Sequence, residues 1–403
     1  MGNGYLGNVR KQYLINLFHS LIPAYVIERL FWQERGAGVQ EVVWCEIIYA
    51  LTVTLLEIPS GVLADRFGRK RMLVLCGVLD VAEFAILLFA RDFWAFGLAV
   101  FLAGVGKALC SGSDNALLYD SLLAGGRQGD FEKLLGRLTA IDMAGSIAAA
   151  LSGGVLANWI GFEFNYIVSA CSMAAAFLVA LTLKEPPMAT KPEGELTGGL
   201  QYTKQALALF RAEPLLLLYC LTGTVLGACM VYLDEFWQLL MEGVGVPVLF
   251  FGAVSAGVLL CRIPGSLLAY RLKERFSYRA ILTVLLAVNV LGYVAVFLTR
   301  NVLCLVPMAV ISLTGGVVEP LVGGYLHHRA ESHIRATTES FVSLALRFFS
   351  MPVGLVFGVV SARHTIFAGF LPLGILCLAW LVFFIPRSAR LSPCGRPRTR
   401  TSR

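Results

Sequence analysis

Charge is scarce in this chain. Asp, Glu, Lys and Arg make up 15% of its 403 residues, against 57% hydrophobic ones. That balance is too apolar for a water-soluble protein of ordinary composition. Histidine is rarer still, at five residues, and the ten cysteines are scattered without a Cys-x-x-Cys pair. Neither a metal site nor a disulfide framework is indicated, and the cysteines read as small apolar packing residues. The chain carries no Gly-rich Lys phosphate loop and no Gly-x-Ser-x-Gly turn. Both absences speak against an enzyme, and the first against direct ATP hydrolysis. No cofactor is expected. There is also no cleavable signal-peptide pattern, so the first apolar run is expected to stay in the mature chain.

What the chain has is long apolar runs. Twelve of them fall near 13–32, 42–63, 72–90, 94–122, 138–159, 163–183, 214–240, 247–270, 280–298, 302–326, 338–360 and 365–385. Each can cross a bilayer as a helix of about 20 residues. Continuous runs of this length do not fit a strand barrel, whose segments are short and alternating.

The formal net charge of +7 is distributed unevenly. Five basic residues sit in or beside odd-numbered loops (Arg29, Arg35, Arg91, Arg300, Arg363), three lie inside runs (Lys107, Arg262, Arg347), and the other 25 of 33 fall in the termini and even-numbered loops. This positive-inside bias places both termini in the cytoplasm of a cell-membrane protein. The basic stretch from Arg387 to Arg403 then faces anionic lipid rather than nucleic acid.

The runs also repeat. Residues 57–70, EIPSGVLADRFGRK, and 262–275, RIPGSLLAYRLKER, align at an offset of 205, with Ile58/Ile263, Pro59/Pro264, Leu63/Leu268, Ala64/Ala269 and Arg66/Arg271 in register. Each copy lies between the second and third runs of its half. The expected fold is an all-α integral membrane protein with twelve transmembrane helices in two six-helix bundles, a parallel repeat of the kind used by transporters. The expected domains are 1–183, a cytoplasmic linker at 184–212, 213–386, and a basic tail at 387–403. The second half of the linker predicts a surface helix with Leu200, Ala206, Leu207 and Phe210 on one side.

The stretch GVLADRFGRKRML, Gly61 to Leu73, resembles the signature of the major facilitator superfamily. SGSDNALLYDSL (111–122) and HIRATTESF (333–341) resemble prokaryotic drug-efflux or permease members. The resemblance covers the whole chain and implies two bundles with alternating access around a central cavity lined mainly by helices 1, 4, 7 and 10. On physical grounds Gly61 allows close helix packing and Gly68 a tight turn, while Arg66, Arg69, Lys70 and Arg71 hold the loop in the cytoplasm. The resemblance further implies a cytoplasmic latch of Asp65, Arg69 and Asp120; the alternative is a loop that only fixes topology. In the second copy Tyr270 stands at the Asp position. The antiporter pattern of the fifth helix is kept at Gly145, Gly153 and Gly154, but its Gly-Pro pair is replaced by Ala149 and Ala150, which weakens the antiport implication. The Arg that proton-coupled exporters carry on the fourth helix is missing, and Lys107 stands elsewhere on that run.

An ionisable group inside a spanning helix costs about 2.5–3.5 kcal/mol on insertion scales, so each is a functional candidate. Asp114 and Glu319 are again 205 apart, on the fourth and tenth runs. They are the candidate proton or substrate carboxylates, with a Lys107–Asp114 ion pair as the competing reading. Glu57/Arg262 and Asp142/Arg347 share the same offset with inverted charge. The resemblance implies that helix 2 faces helix 11 and helix 5 faces helix 8, and with that adjacency they suggest two ion pairs forming a cytoplasmic gate, Glu57 with Arg347 and Asp142 with Arg262; the alternative is pairing within each half or contact with water. Tyr25, Tyr119, Tyr232, Phe236 and Trp237 are candidate cavity aromatics, and Trp32 and Trp94 fit the interfacial belt.

The functional expectation is a secondary transporter working by alternating access, with proton-coupled efflux of small hydrophobic or amphipathic molecules. The alternatives are an uptake permease for a small metabolite and a non-transporting membrane sensor or lipid-interacting protein. The expected partners are a small-molecule substrate, protons and membrane lipids, not nucleic acid, and the expected working form is a monomer.

Overall fold

A computed structural model of the chain describes residues 3–111, 113–186, 195–331 and 334–391. Residues 187–194 of the linker, His333 and the tail from 392 lie outside them, as do the side chains of Asp65 and Leu200. Among the described residues the regular structure is helical, without a strand. Among the described residues eleven helices are long and apolar enough to cross a membrane, and the count is twelve if one bent pair is taken as a single span.

The bent pair is the first span. α1 (Asn3–Ser20) gives way to a 3-10 turn at Pro23–Val26 and then to α2 (Glu28–Glu34), with a bend of 50°. Pro23 ends α1, since it has no N–H to donate and pushes Ile22 out of the helical region, and the bend itself falls at Ile27, between the two pieces. Next come α3 (Val39–Phe67), α4 (Arg69–Phe89), α5 (Phe93–Cys110), α6 (Ser113–Ala124), α7 (Phe131–Trp159) and α8 (Phe162–Leu181), with α5 and α6 sharing the fourth span. After the linker come α9 (Glu195–Ala212), α10 (Pro214–Gly243), α11 (Phe251–Arg275), α12 (Tyr278–Leu298), α13 (Leu305–His327), α14 (Arg335–Arg363) and α15 (Phe370–Leu391). The surface helix expected in the linker is α9. Its Ala206 and Phe210 are buried and Leu207 is exposed, and the Phe210 ring meets Phe341 edge-on at 6.4 Å.

The chain forms two compact units. The first comprises 1–191 with 235–257 and 358–366; the second comprises 192–234, 258–357 and 367–403. In the first, α4 packs on α5 and α8, α3 on α5, and α1 on α7 and α8. In the second, α12 packs on α13 and α15. Many outward-facing side chains are large and apolar, such as Leu55, Leu267 and Leu291 at 70% exposure each. A soluble surface seldom shows so much; in lipid it is the favourable solvent-facing side.

Small residues set the tight crossings. In the first unit a Cβ on Gly145 would lie 2.7 Å from Ser20, one on Gly153 would lie 2.6 Å from the Pro23 carbonyl, and one on Gly252 would lie 2.2 Å from the Ala150 carbonyl. The glycines kept from the antiporter pattern thus seat α1, its 3-10 turn and the start of α11 against α7. In the second unit a Cβ on Gly316 would lie 2.2 Å from the Arg262 carbonyl, so α11 and α13 touch backbone to backbone.

Candidate functional site

The signature loop is a one-residue turn between α3 and α4. Gly68 closes it at φ +97° and ψ 145°, a region that glycine alone enters readily. The turn leaves the first N–H groups of α4 without helical partners. Glu185, just beyond α8, accepts from Arg69 N and Lys70 N at 2.8 Å each. A carboxylate there also complements the positive end of the helix dipole. Arg69 donates through Nη1 to the Ala116 carbonyl at 2.7 Å and pairs with Asp120 on α6. Beside them Asn8, fully buried, donates to Ser121 Oγ (2.9 Å) and the Lys184 carbonyl (2.7 Å) and accepts from Lys184 N (3.0 Å). Of the expected latch, Arg69 and Asp120 are in contact; the Asp65 side chain is outside the described residues. Arg66 is exposed, 5.4 Å over the Phe67 ring. Gly61 does not serve close packing here, since a Cβ on it would meet nothing within 4 Å.

Above this loop the first unit holds a cavity of about 170 Å³, lined by Gln12, His19, Cys76, Asp114, Thr139 and Asp142 among others. Asp114 accepts from Asn115 N at 2.7 Å at the start of α6, and its carbonyl accepts from Gln12. Ser20 Oγ donates to Asp142 at 2.5 Å. His19 lies 3.6 Å from Asp80. Lys107 is exposed and faces Asp80 electrostatically; among the described residues no ion pair joins it to Asp114.

A second charged cluster surrounds α2. Arg29, 3% exposed, places Nη2 between Glu46 on α3, at 2.5 Å, and Glu235 on α10, while Nη1 is 3.7 Å from Glu28. Gln238 accepts from Arg29 N and donates to the Tyr25 carbonyl, each at 2.8 Å. The guanidinium sits 5.0 Å over the ring of Trp32. Trp32 is fully buried and donates to Tyr166 Oη at 3.1 Å. It is a packing residue rather than the interfacial one expected, because α2 turns into the unit at the bend. Trp94 is 80% exposed at the start of α5, as a belt residue should be.

The second unit holds a larger cavity, about 690 Å³, whose wall includes Met230, Asp234, Arg262, Asn289, Glu319 and Glu339. Arg262 donates to both oxygens of Asp234 at 2.5 Å, a two-point contact to α10 from α11. Asn289 reaches Thr314 at 2.9 Å, and His327 meets Glu339 at 2.6 Å. Glu319 is exposed in the turn before Pro320, without a side-chain partner among the described residues.

The expected gate joins residues of different units, Glu57 and Asp142 in the first and Arg262 and Arg347 in the second. Arg262 is bonded to Asp234 and Asp142 to Ser20, each within its own unit. The reason is local: Asp234 lies within reach of α11 inside the second unit, a proximity that the 205-residue offset does not encode. Glu57 is exposed and Arg347 half-buried, and neither has a side-chain partner within its unit among the described residues. Three of the aromatics are packing residues rather than cavity walls. Tyr232 is buried, donates to the Ser350 carbonyl at 2.7 Å and stacks on Phe357 at 5.5 Å; Phe236 is fully buried; Trp237 packs on Phe251 at 5.5 Å. Tyr25, 52% exposed, lies 6.3 Å from Phe84, and Tyr119, 42% exposed, meets Phe131 edge-on. Sequence reasoning missed Asn8, Glu185 and the Arg29 cluster. The available signal for the last was Pro23, which ends the first helix early and carries Arg29 inward rather than into a loop.

The Major Facilitator Superfamily model matches residues 13–338. Multidrug resistance protein MdtH of Enterobacter sp. (strain 638) is 31% identical over 124 residues, 31% of this chain and 29% of the relative. MdtH of Yersinia pestis (strain Pestoides F) is 30% identical over 148 residues, 35% and 34% of the two chains. The matched stretch thus spans about a third of these relatives. Among solved structures, the nucleoside transporter NupG aligns at a TM-score of 0.73 and 15% identity, covering 96% of this chain and 98% of that one. A bacterial homologue of the human lysosomal transporter Spinster aligns at 0.71 and 18%, covering 96% of each. At those identities the likeness is one of fold. Fold, signature loop and sequence match agree: this multi-pass membrane protein belongs to the Major Facilitator Superfamily.

Proposed function

We propose that this chain is a proton-coupled exporter of small hydrophobic or amphipathic molecules, working as a monomer in the cell membrane with both termini in the cytoplasm. The observation that carries the reading is the cavity of about 690 Å³ in the second unit. It is large enough for a drug-sized ligand. Apolar side chains from Leu226, Met230, Val231 and Val318 share its wall with the Arg262–Asp234 pair and Glu319. Such a wall suits a ligand with an apolar body and a polar or charged end. Methionine adapts to ligands of different shape. The relatives named for multidrug resistance support the same substrate class, and the positive-inside distribution supports the orientation. With no phosphate loop in the sequence, an ion gradient is the energy source, and embedded carboxylates are the groups able to carry its proton. Asp114 and Glu319 remain candidates, each at the edge of a cavity.

The test is flux in reconstituted vesicles under an imposed pH gradient, with ethidium, tetraphenylphosphonium and chloramphenicol as probes. Gradient-dependent movement of at least one probe is expected. Asp114→Asn with Glu319→Gln should abolish it while probe binding persists. Binding without flux across the panel would instead make the chain a sensor on this fold.

A further inference from the structure

Arg29 is held in an unusual way for a buried guanidinium. Both of its carboxylate hydrogen bonds converge on Nη2, from Glu46 at 2.5 Å and from Glu235. Nε and Nη1 are buried and have no hydrogen-bond partner among the described residues. The side chain is only 4% exposed, whereas those of Glu46 and Glu235 keep 23% and 31%. A buried charge is stable only when it is paired and hydrogen-bonded, and here one nitrogen does nearly all of that for the whole group. The numbers also do not balance. Glu28, Glu46 and Glu235 bring three carboxyl groups to one guanidinium.

Among the described residues no second cation faces the cluster. Facing the cluster are Glu41 and Cys45 on α3, Glu83 on α4, Tyr25 in the 3-10 turn and Tyr166 on α8. Glu83 in turn faces Asp80, which meets His19 at the 170 Å³ cavity. A proton is therefore the small ligand that this arrangement accepts most readily, and its arrival removes one of the two hydrogen-bonded counter-charges of Arg29.

We propose that Glu46 and Glu235, clamped on Arg29, form a proton-binding site of the transport cycle, and that protonating either carboxylate releases α2 from the helix that bears it, α3 for Glu46 and α10 for Glu235. This rests on the proton-coupled reading above. In the step, a proton from the aqueous phase adds to a carboxylate oxygen, an O–H bond forms, and the ion pair to Nη2 is lost. Gln238 stays bonded to the backbone of α2, so release loosens the side-chain clamp without freeing the segment. Arg29 then shifts relative to the Trp32 ring, which makes Trp32 a built-in reporter.

Two measurements test the site. The first is ethidium flux in vesicles under a pH gradient, for the wild type, Glu46→Gln and Glu235→Gln, with Glu46→Asp as the variant that keeps the charge. Each amide variant should lose gradient-driven flux while still binding ethidium, and Glu46→Asp should keep measurable flux. The second is tryptophan fluorescence of the purified protein against pH, taken as the difference between the wild type and Trp32→Phe. A pH-dependent Trp32 signal is expected in the wild type and should be lost in both amide variants. If the wild type is gradient-driven and both amide variants keep its pH profile, this site is overturned and proton coupling stands. If the wild type shows no gradient dependence with ethidium, tetraphenylphosphonium or chloramphenicol, both fall. Should the amide variants fail to fold, the wild-type signal decides: a Trp32 signal that is flat with pH overturns the clamp.

Discussion

Replacing Gly68 by alanine acts on the signature loop twice. The backbone at φ +97° and ψ 145° costs a side-chain-bearing residue about 1–3 kcal/mol. The new Cβ would also lie 2.9 Å from Glu185 Oε2 and 3.0 Å from its carboxyl carbon, so Glu185 must move. Moving it releases the N–H groups of Arg69 and Lys70, and losing a helix cap of this kind costs about 0.5–2 kcal/mol. The expected total is about 1.5–5 kcal/mol. The second contribution exists only while Glu185 is present. In a Glu185→Ala background the Gly68→Ala change should therefore cost only the backbone strain, leaving a coupling of about 0.5–2 kcal/mol between the two sites. The assay is denaturant unfolding of the purified, detergent-solubilised protein, followed by tryptophan fluorescence for all four members of the cycle. Full additivity would refute the contact argument. A Gly68→Ala cost below about 0.5 kcal/mol would refute the backbone argument as well.

Asp120→Ala leaves Arg69, whose side chain is 14% exposed, without its carboxylate; a loss of about 3 kcal/mol is expected in the same assay. Gly252→Ala forces a Cβ to 2.2 Å from the Ala150 carbonyl and should cost about 1–3 kcal/mol, whereas Gly257→Ala, with nothing within 4 Å, should stay within about 0.5 kcal/mol of the wild type. In a cysteine-free background, single cysteines at Gly38 and Gly198 should react from opposite faces of the membrane with an impermeant maleimide; reaction of both from one face would overturn the assignment of the spans between them.

Much of this protein is determined by its sequence alone, because the physics behind those features is local. Spanning segments follow from run length and hydropathy, since backbone in lipid must bond within its own helix. The turn at Gly68 follows from the one residue type able to take that φ. The 205-residue repeat is visible because each copy keeps its own loop chemistry. Charge partners are different, because Coulombic pairing depends on distance in space. The 205-residue repeat names no partner for Arg262, and Asp234 on the neighbouring helix of the same unit binds it at 2.5 Å. Tyr232, Phe236 and Trp237 lie on a helix whose periodicity marks an apolar face without saying whether that face meets a ligand or another helix. Glu185 reads as an ordinary linker charge until α4 begins beside it. Arg29 counts as a loop cation until the 50° bend at Ile27 turns α2 inward. There a single buried guanidinium must be shared among Glu28, Glu46 and Glu235, an arrangement fixed by packing between segments up to 206 residues apart.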